Sequence, residues 1–116
     1  MSKATNDLGM QGEGLVAEHL QKQGFRILAR NFRRREAEID IIAAKENITY
    51  FVEVKSRSRQ GFANPADNIT AHKRRQIAKA AMLWFQEQGR ETESTLLVAE
   101  VYPQSGEILL FEDFLC

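Results

Sequence analysis

Asp40 and Glu53, with twelve residues between them, and Lys55, two positions further on, are the side chains of this 116-residue chain best suited to chemistry. Both acids fall in segments that read as β-strands. Side chains alternate along a strand, so Glu53 and Lys55 leave the same face. Two carboxylates and an amine on one half-buried face are costly to desolvate unless they are paired or bind something. A divalent cation that handles phosphate fits them. Mg²⁺, a hard ion, takes one or two carboxylates and completes its shell with water and phosphate oxygens. It stabilises charge on a phosphoryl group and lowers the pKa of bound water. Asp40 and Glu53 would supply the carboxylates, and the carbonyl of Val54 a third oxygen. Lys55 would offset charge on a phosphate oxygen. Alternating Glu and Lys also occurs as a solvated face with a cross-strand ion pair of about 0.2–1 kcal/mol. Asp40 on the adjacent strand favours the site.

The elements that must position these residues follow from periodicity. Asn6 to Gln23 reads as a helix capped by Asn6 or Asp7 and stopped by Gly24. Gly9, Gly12 and Gly14 weaken its first half. Val16, Ala17 and Leu20 lie three, four and seven residues after Glu13, so Glu13 sits on the apolar stripe and could complete the acidic cluster through a bound water. Phe25 to Asn31, Glu38 to Ala44 and Ile48 to Ser56 read as three antiparallel strands with turns over Arg33–Glu36 and Lys45–Asn47. In the third, Ile48, Tyr50, Val52 and Val54 form an apolar face. Thr49, Phe51, Glu53 and Lys55 form a face that is apolar at one end and charged at the other, like the lip of a pocket. The stretch Gln60 to Pro65 reads as a loop carrying Phe62. Thr70 to Gln88 reads as a second helix, capped by Asn68 or Thr70 and ended by Gly89, with Ile77, Ala80, Ala81 and Trp84 inward and Met82 and Phe85 widening the stripe. Thr95 to Tyr102 and Ile108 to Phe111 complete the strands. The expected fold is α/β, an αβββαβ core with an extra edge strand and a mixed central sheet flanked by helices. Strand three reaches strand four through the second helix, a right-handed crossover.

The length suits one domain over residues 1–116. No apolar run approaches the roughly 20 residues of a membrane span, and the start lacks the apolar core of a signal peptide. The single cysteine is Cys116, which fits a reducing cytoplasm. Net charge is zero, yet residues 1–80 carry 15 Lys/Arg against 9 Asp/Glu and residues 81–116 carry 1 against 7. The clusters Arg33–Arg35, Lys55 with Arg57 and Arg59, and Lys73–Arg75 with Lys79 lie in the basic part. Arg33, Arg57, Lys73 and Arg74 are candidate phosphate contacts, with three separately solvated faces as the plain alternative.

Gly12-Glu13, Gly24-Phe25-Arg26-Ile27-Leu28, Arg30-Asn31-Phe32-Arg33, Glu38-Ile39-Asp40 and Phe51-Val52-Glu53-Val54-Lys55-Ser56-Arg57 occur in order. This set resembles the YraN-like family of small, poorly characterised bacterial proteins, over about residues 9 to 85. The resemblance implies the restriction-endonuclease-like fold, a relation to Holliday-junction resolvases, and a PD-(D/E)xK nuclease site. Residue by residue, Asp40 takes the Asp position, Glu53 the acidic position, Lys55 the lysine and Glu13 the helix glutamate. It further implies a Mg²⁺- or Mn²⁺-dependent endonuclease on DNA, branched DNA included. The alternative is a non-catalytic nucleic-acid-binding protein within a repair or recombination complex. A homodimer would suit cutting both strands of a symmetric duplex. Two positions depart from the family pattern. Ala37 stands where the family usually has Gly. Thr95-Leu-Leu-Val-Ala99 lacks the Asp often found in the fourth strand, with Glu100 displaced nearby.

Overall fold

A computed structural model describes residues 3–57, 69–113 and 115, with the side chains of residues 3–10 left out of the description. The loop expected over 60–65, with Phe62, and also Arg59, Asn68 and Cys116, lie outside the described residues. The elements run α1 (Lys3–Lys22), β1 (Arg26–Arg34), β2 (Ala37–Lys45), β3 (Ile48–Ser56), α2 (Ala71–Gln88), β4 (Glu93–Tyr102) and β5 (Glu107–Asp113). The five strands form one sheet in the order β1-β2-β3-β4-β5. β1, β2 and β3 pair antiparallel, β3 and β4 pair parallel, and β4 and β5 pair antiparallel. This is the mixed α/β arrangement with an αβββαβ core and an added edge strand.

α1 begins before the expected caps, so Asn6 and Asp7 lie inside the helix. Gly24 does stop it. Its φ is 96°, its N–H donates to Gln21, and the N–H of Phe25 donates to Leu20, the double bond of a Schellman motif. Thr70 caps α2 by accepting from the N–H of Lys73, and Gly89 closes it in the left-handed region at φ 76°. β1 runs three residues further than its apolar pattern suggested. The turn is confined to Arg35–Glu36, and Glu36 takes the positive φ (58°). Ala37 is therefore free to be a strand residue, 2 % exposed.

The alternation of β3 sorts its side chains into two cores. Phe51 joins Ile39, Ile42, Leu96 and Val98 under Ile77, Ala80 and Ala81 of α2. Val52 joins Ile41, Ala43, Leu97, Ala99 and Val101 under Val16, Ala17 and Leu20 of α1. Both faces of the central strands are thus covered, which explains their near-continuous apolar character. Trp84 and Phe85 pack against the first cluster, Phe85 edge-on to Phe51 at 5.6 Å. Met82, expected in the stripe, is 52 % exposed. It follows Ala81 by about 100° of helical rotation and so turns out of the contact. Phe51→Ala should cost about 3–5 kcal/mol of stability, because it opens a cavity in a fully enclosed position; urea denaturation will measure it.

Gly12 has a packing role. A Cβ there would lie 2.0 Å from Ser56 Oγ and 3.1 Å from Val101, so the glycine lets α1 approach the ends of β3 and β4. The neighbouring Glu13 is thereby pressed against the sheet.

Candidate active site

The β2–β3 register runs through Ile41↔Val52, and the next positions along are Asp40 and Glu53. There the backbone ladder gives way to a side chain: the N–H of Val54 donates to Asp40 Oδ2 at 2.8 Å. A residue's N–H and C=O leave an extended strand on the same side, so the carbonyl of Val54 faces the same gap. Asp40 and Glu53 lie close enough for their carboxyls to hydrogen bond. Lys55 Nζ stands 3.6 Å from Glu53 Oε2. Asp40, Glu53, the backbone of Val54 and Lys55 therefore meet at one point, on the side of the sheet covered by α2.

Glu53 is 4 % exposed. Its Oε1 is buried with no hydrogen-bond partner among the described residues. Burial, and then the charge of Asp40, push its carboxyl up to about 7, against the restraining charges of Lys73 and Lys55. Two ionised carboxylates are both acceptors and cannot satisfy each other. Either a shared proton or a cation must stand between them. That unsatisfied oxygen is what a metal-binding site would display.

The surroundings add groups that the sequence had not placed together. Glu38, on β2, accepts from Lys73 Nζ at 2.9 Å and lies 3.4 Å from Arg33 Nη1. The hydrogen bond from Lys73 holds the Glu38 carboxyl below the ordinary range despite some burial, helped by the charges of Lys73, Arg33 and His72. Lys73 also lies 3.7 Å from Glu53 Oε2, and Arg33 Nη2 lies 3.9 Å from Asp40 Oδ1. Burial works to lower the Lys73 pKa, but the bond to Glu38 and the charges of Glu53, Glu38 and Asp40 outweigh it and raise it. Glu38 could have been suspected from its place two residues before Asp40 on the same strand.

Glu13 reaches the cluster indirectly. Its Oε1 accepts from Asn31 Nδ2 at 2.8 Å and Arg30 Nε at 3.2 Å. Asn31 Oδ1 in turn accepts from Arg33 Nη2 at 3.4 Å. Asn31 adopts φ 55° inside β1, a conformation asparagine tolerates better than most residues. The strained asparagine thus links the helix glutamate to the arginine beside Asp40.

The other candidate phosphate contacts are engaged within the fold. Arg57 Nε donates to Glu100 Oε2 at 2.9 Å, and the phenol of Tyr102 donates to Glu100 Oε1. Glu100 is 3 % exposed and pairs in register with Lys55, so it flanks the site as a compensated acid. Arg74 donates to Asp113 on β5. An apolar hollow of about 780 Å³ lies elsewhere and is lined by Ala81, Met82, Phe85 and Leu115. Charge and geometry, not cavity size, mark the acid cluster. Among the described residues no three acid, His or Cys side chains form a group that could hold a metal ion by themselves. Two carboxylates beside a strand carbonyl suit Mg²⁺ or Mn²⁺, which keep waters and take phosphate oxygens, rather than a structural ion.

Comparisons with known proteins agree with the pattern of residues. The model of the family described as "Uncharacterised protein family UPF0102" matches residues 12–102. A UPF0102 protein of Clostridium perfringens is 44% identical over 85 residues, 73% of this chain and 70% of the relative. One of Flavobacterium johnsoniae is 41% identical over 93 residues, 80% of this chain and 76% of the relative. Another, of Flavobacterium psychrophilum, is 41% identical over 110 residues, 93% of this chain and 92% of the relative. Among the described residues no helix is long and apolar enough to cross a membrane.

Proposed function

This chain belongs to the uncharacterised protein family UPF0102, and from that premise we propose that it is a metal-dependent endonuclease acting on DNA. The observation that carries the reading is the buried carboxyl of Glu53, with Oε1 partnerless among the described residues, Asp40 beside it, and an ammonium 3.6 Å from Oε2. The restriction-endonuclease-like resemblance and the αβββαβ order support it.

Asp40, Glu53 and the Val54 carbonyl would hold Mg²⁺ or Mn²⁺. Bound there, the ion would polarise a phosphoryl oxygen and lower the pKa of water. The Val54 N–H fixes the orientation of Asp40 by holding Oδ2. Lys55, three-quarters buried beside Glu53, presents its ammonium to a non-bridging phosphate oxygen and offsets charge that grows during hydrolysis. Arg33, about half exposed, steers a phosphate of the same strand towards the acids. Arg57 and Arg74 stiffen the rim through Glu100 and Asp113.

The purified full chain, assayed on duplex and four-way-junction DNA with Mg²⁺ or Mn²⁺, is expected to release cleaved strands, and chelation is expected to stop it. No cleavage of any substrate with either metal would end the endonuclease reading. A second reading has a specific observation behind it: Glu38, Asp40 and Glu53 are already matched by Arg33, Lys55 and Lys73. A non-catalytic nucleic-acid-binding protein would keep such a self-compensated cluster. Strong, salt-sensitive DNA binding without turnover would favour it. In either case Arg33→Ala is expected to weaken DNA binding and reduce the salt slope by about one, as measured by fluorescence anisotropy across salt concentrations.

A further inference from the structure

Glu53 Oε2 is shared by two ammonium groups, Lys55 Nζ at 3.6 Å and Lys73 Nζ at 3.7 Å. They come from different directions. Lys55 stands on the same strand as Glu53, whereas Lys73 comes from the first turn of α2 and is anchored at 2.9 Å to Glu38. Only 22 % of the Lys73 side chain is exposed, so its charge is spent inside the acid cluster and not on the surface. With Arg33 beside Asp40, three cations face three acids in this cluster.

With all three acids ionised the cluster is neutral, and a divalent cation adds two positive charges to it. Like charges a few ångströms apart in a partly dry site repel strongly, so a cation must leave as the metal arrives. Lys73 is the cation suited to leave. Its long stem swings through several rotatable bonds, its contact with Glu53 is the longer of its two, and Glu38 stays behind to hold it. Lys55 has a stem of the same length, but among the described residues it is paired only with Glu53, so no second acid holds it if it leaves.

Taking the metal-site reading above as its basis, we propose that Lys73 is a resident stand-in cation. Its ammonium and a divalent metal exclude each other from Glu53, and metal entry turns Lys73 towards Glu38 and a substrate phosphate. Coupling of this kind is reciprocal. Anything that draws Lys73 out of the cluster, a DNA phosphate in particular, tightens metal binding, and metal readies Lys73 for phosphate. The metal-free protein is thereby stable without an ion, and the loaded state is favoured when DNA is present.

Mn²⁺ titration of the metal-free full chain by calorimetry, with no nucleic acid present, tests this. Lys73→Met keeps the stem and removes the charge, and Lys73→Gln is a second neutral variant should the first fold poorly. Either is expected to bind Mn²⁺ about tenfold tighter than the wild type, a typical coupling magnitude. Lys73→Arg, which keeps the charge, is expected to stay within about twofold of the wild type. If the wild type binds Mn²⁺, Asp40→Asn abolishes that binding, and the neutral variants bind no tighter, the stand-in role is overturned while the metal site stands. If neither the wild type nor the neutral variants bind Mn²⁺, the metal site fails and the stand-in role fails with it.

Discussion

With Mn²⁺ and a cleavable DNA substrate, Asp40→Asn and Lys55→Ala will each cut about 100- to 1,000-fold more slowly than the parent. The two losses arise differently. Asp40 accepts the Val54 N–H, so asparagine can keep a similar shape and even that contact through its carbonyl. What disappears is one negative charge facing Glu53, and with it the field that would hold a divalent ion. Raising Mn²⁺ should recover part of the Asp40→Asn rate. Lys55 touches no other acid than Glu53 among the described residues, at 3.6 Å, and is partly open to solvent. Its removal leaves the two carboxylates in place, so more metal should not rescue Lys55→Ala. Single-turnover rates at several Mn²⁺ concentrations separate the two patterns. Equal rates for parent and both variants would remove the acid cluster from the chemistry.

The parts of this site written in the chain are those that depend on strand alternation. The twofold period placed Glu53 and Lys55 on one face and set Phe51 among the buried residues before Glu53, and the sheet bears both out. Adjacent antiparallel strands with a two-residue connection at Glu46–Asn47 fixed the register that leads to Asp40. Glu13 could be placed on the apolar stripe because helical spacing is equally strict. Contacts between distant segments carry no such period. Nothing local predicts that Lys73, twenty residues after Glu53, folds back to the same carboxylate, or that Glu38 receives it. Arg57 and Arg74 read as free basic residues because their acids, Glu100 and Asp113, arrive from strands much later in the chain. Asn31 was visible only as part of a familiar string. Its positive φ and its bridge from Glu13 to Arg33 belong to the three-dimensional structure alone. At the ends of elements the weakness was different. Arg33 and Arg34 look like turn residues, yet β1 absorbs them because an edge strand exposes one side to water and tolerates charge there.

The Glu53→Gln protein will be more stable than the parent at pH 8, by up to about 3 kcal/mol, and the two will be alike near pH 4. The sign follows from the raised carboxyl. In the unfolded chain Glu53 loses its proton around 4.5, whereas in the folded protein burial and Asp40 hold the proton until about 7. The folded state therefore binds more protons between these values. The contribution is fully present below about 4.5 and is lost as pH rises through about 7. Glutamine is never charged, and its amide N–H can donate to Asp40, satisfying acceptors that two carboxylates leave facing each other. Glu38 titrates in the opposite sense, since Lys73 holds its carboxyl low and its contribution is lost as pH falls. That term is common to both proteins, so the difference between their melting curves isolates Glu53. Thermal melts from pH 4 to pH 8 in chelator should show a gap that opens with pH and reaches on the order of 10 °C. Excess Mn²⁺ at pH 8 should then stabilise the parent and leave Glu53→Gln almost unmoved, because a ligand that binds only the folded state shifts the melt only where its site survives. Parallel melting temperatures across the whole range would mean that Glu53 is solvated in the native protein and that its orphaned oxygen has water for a partner.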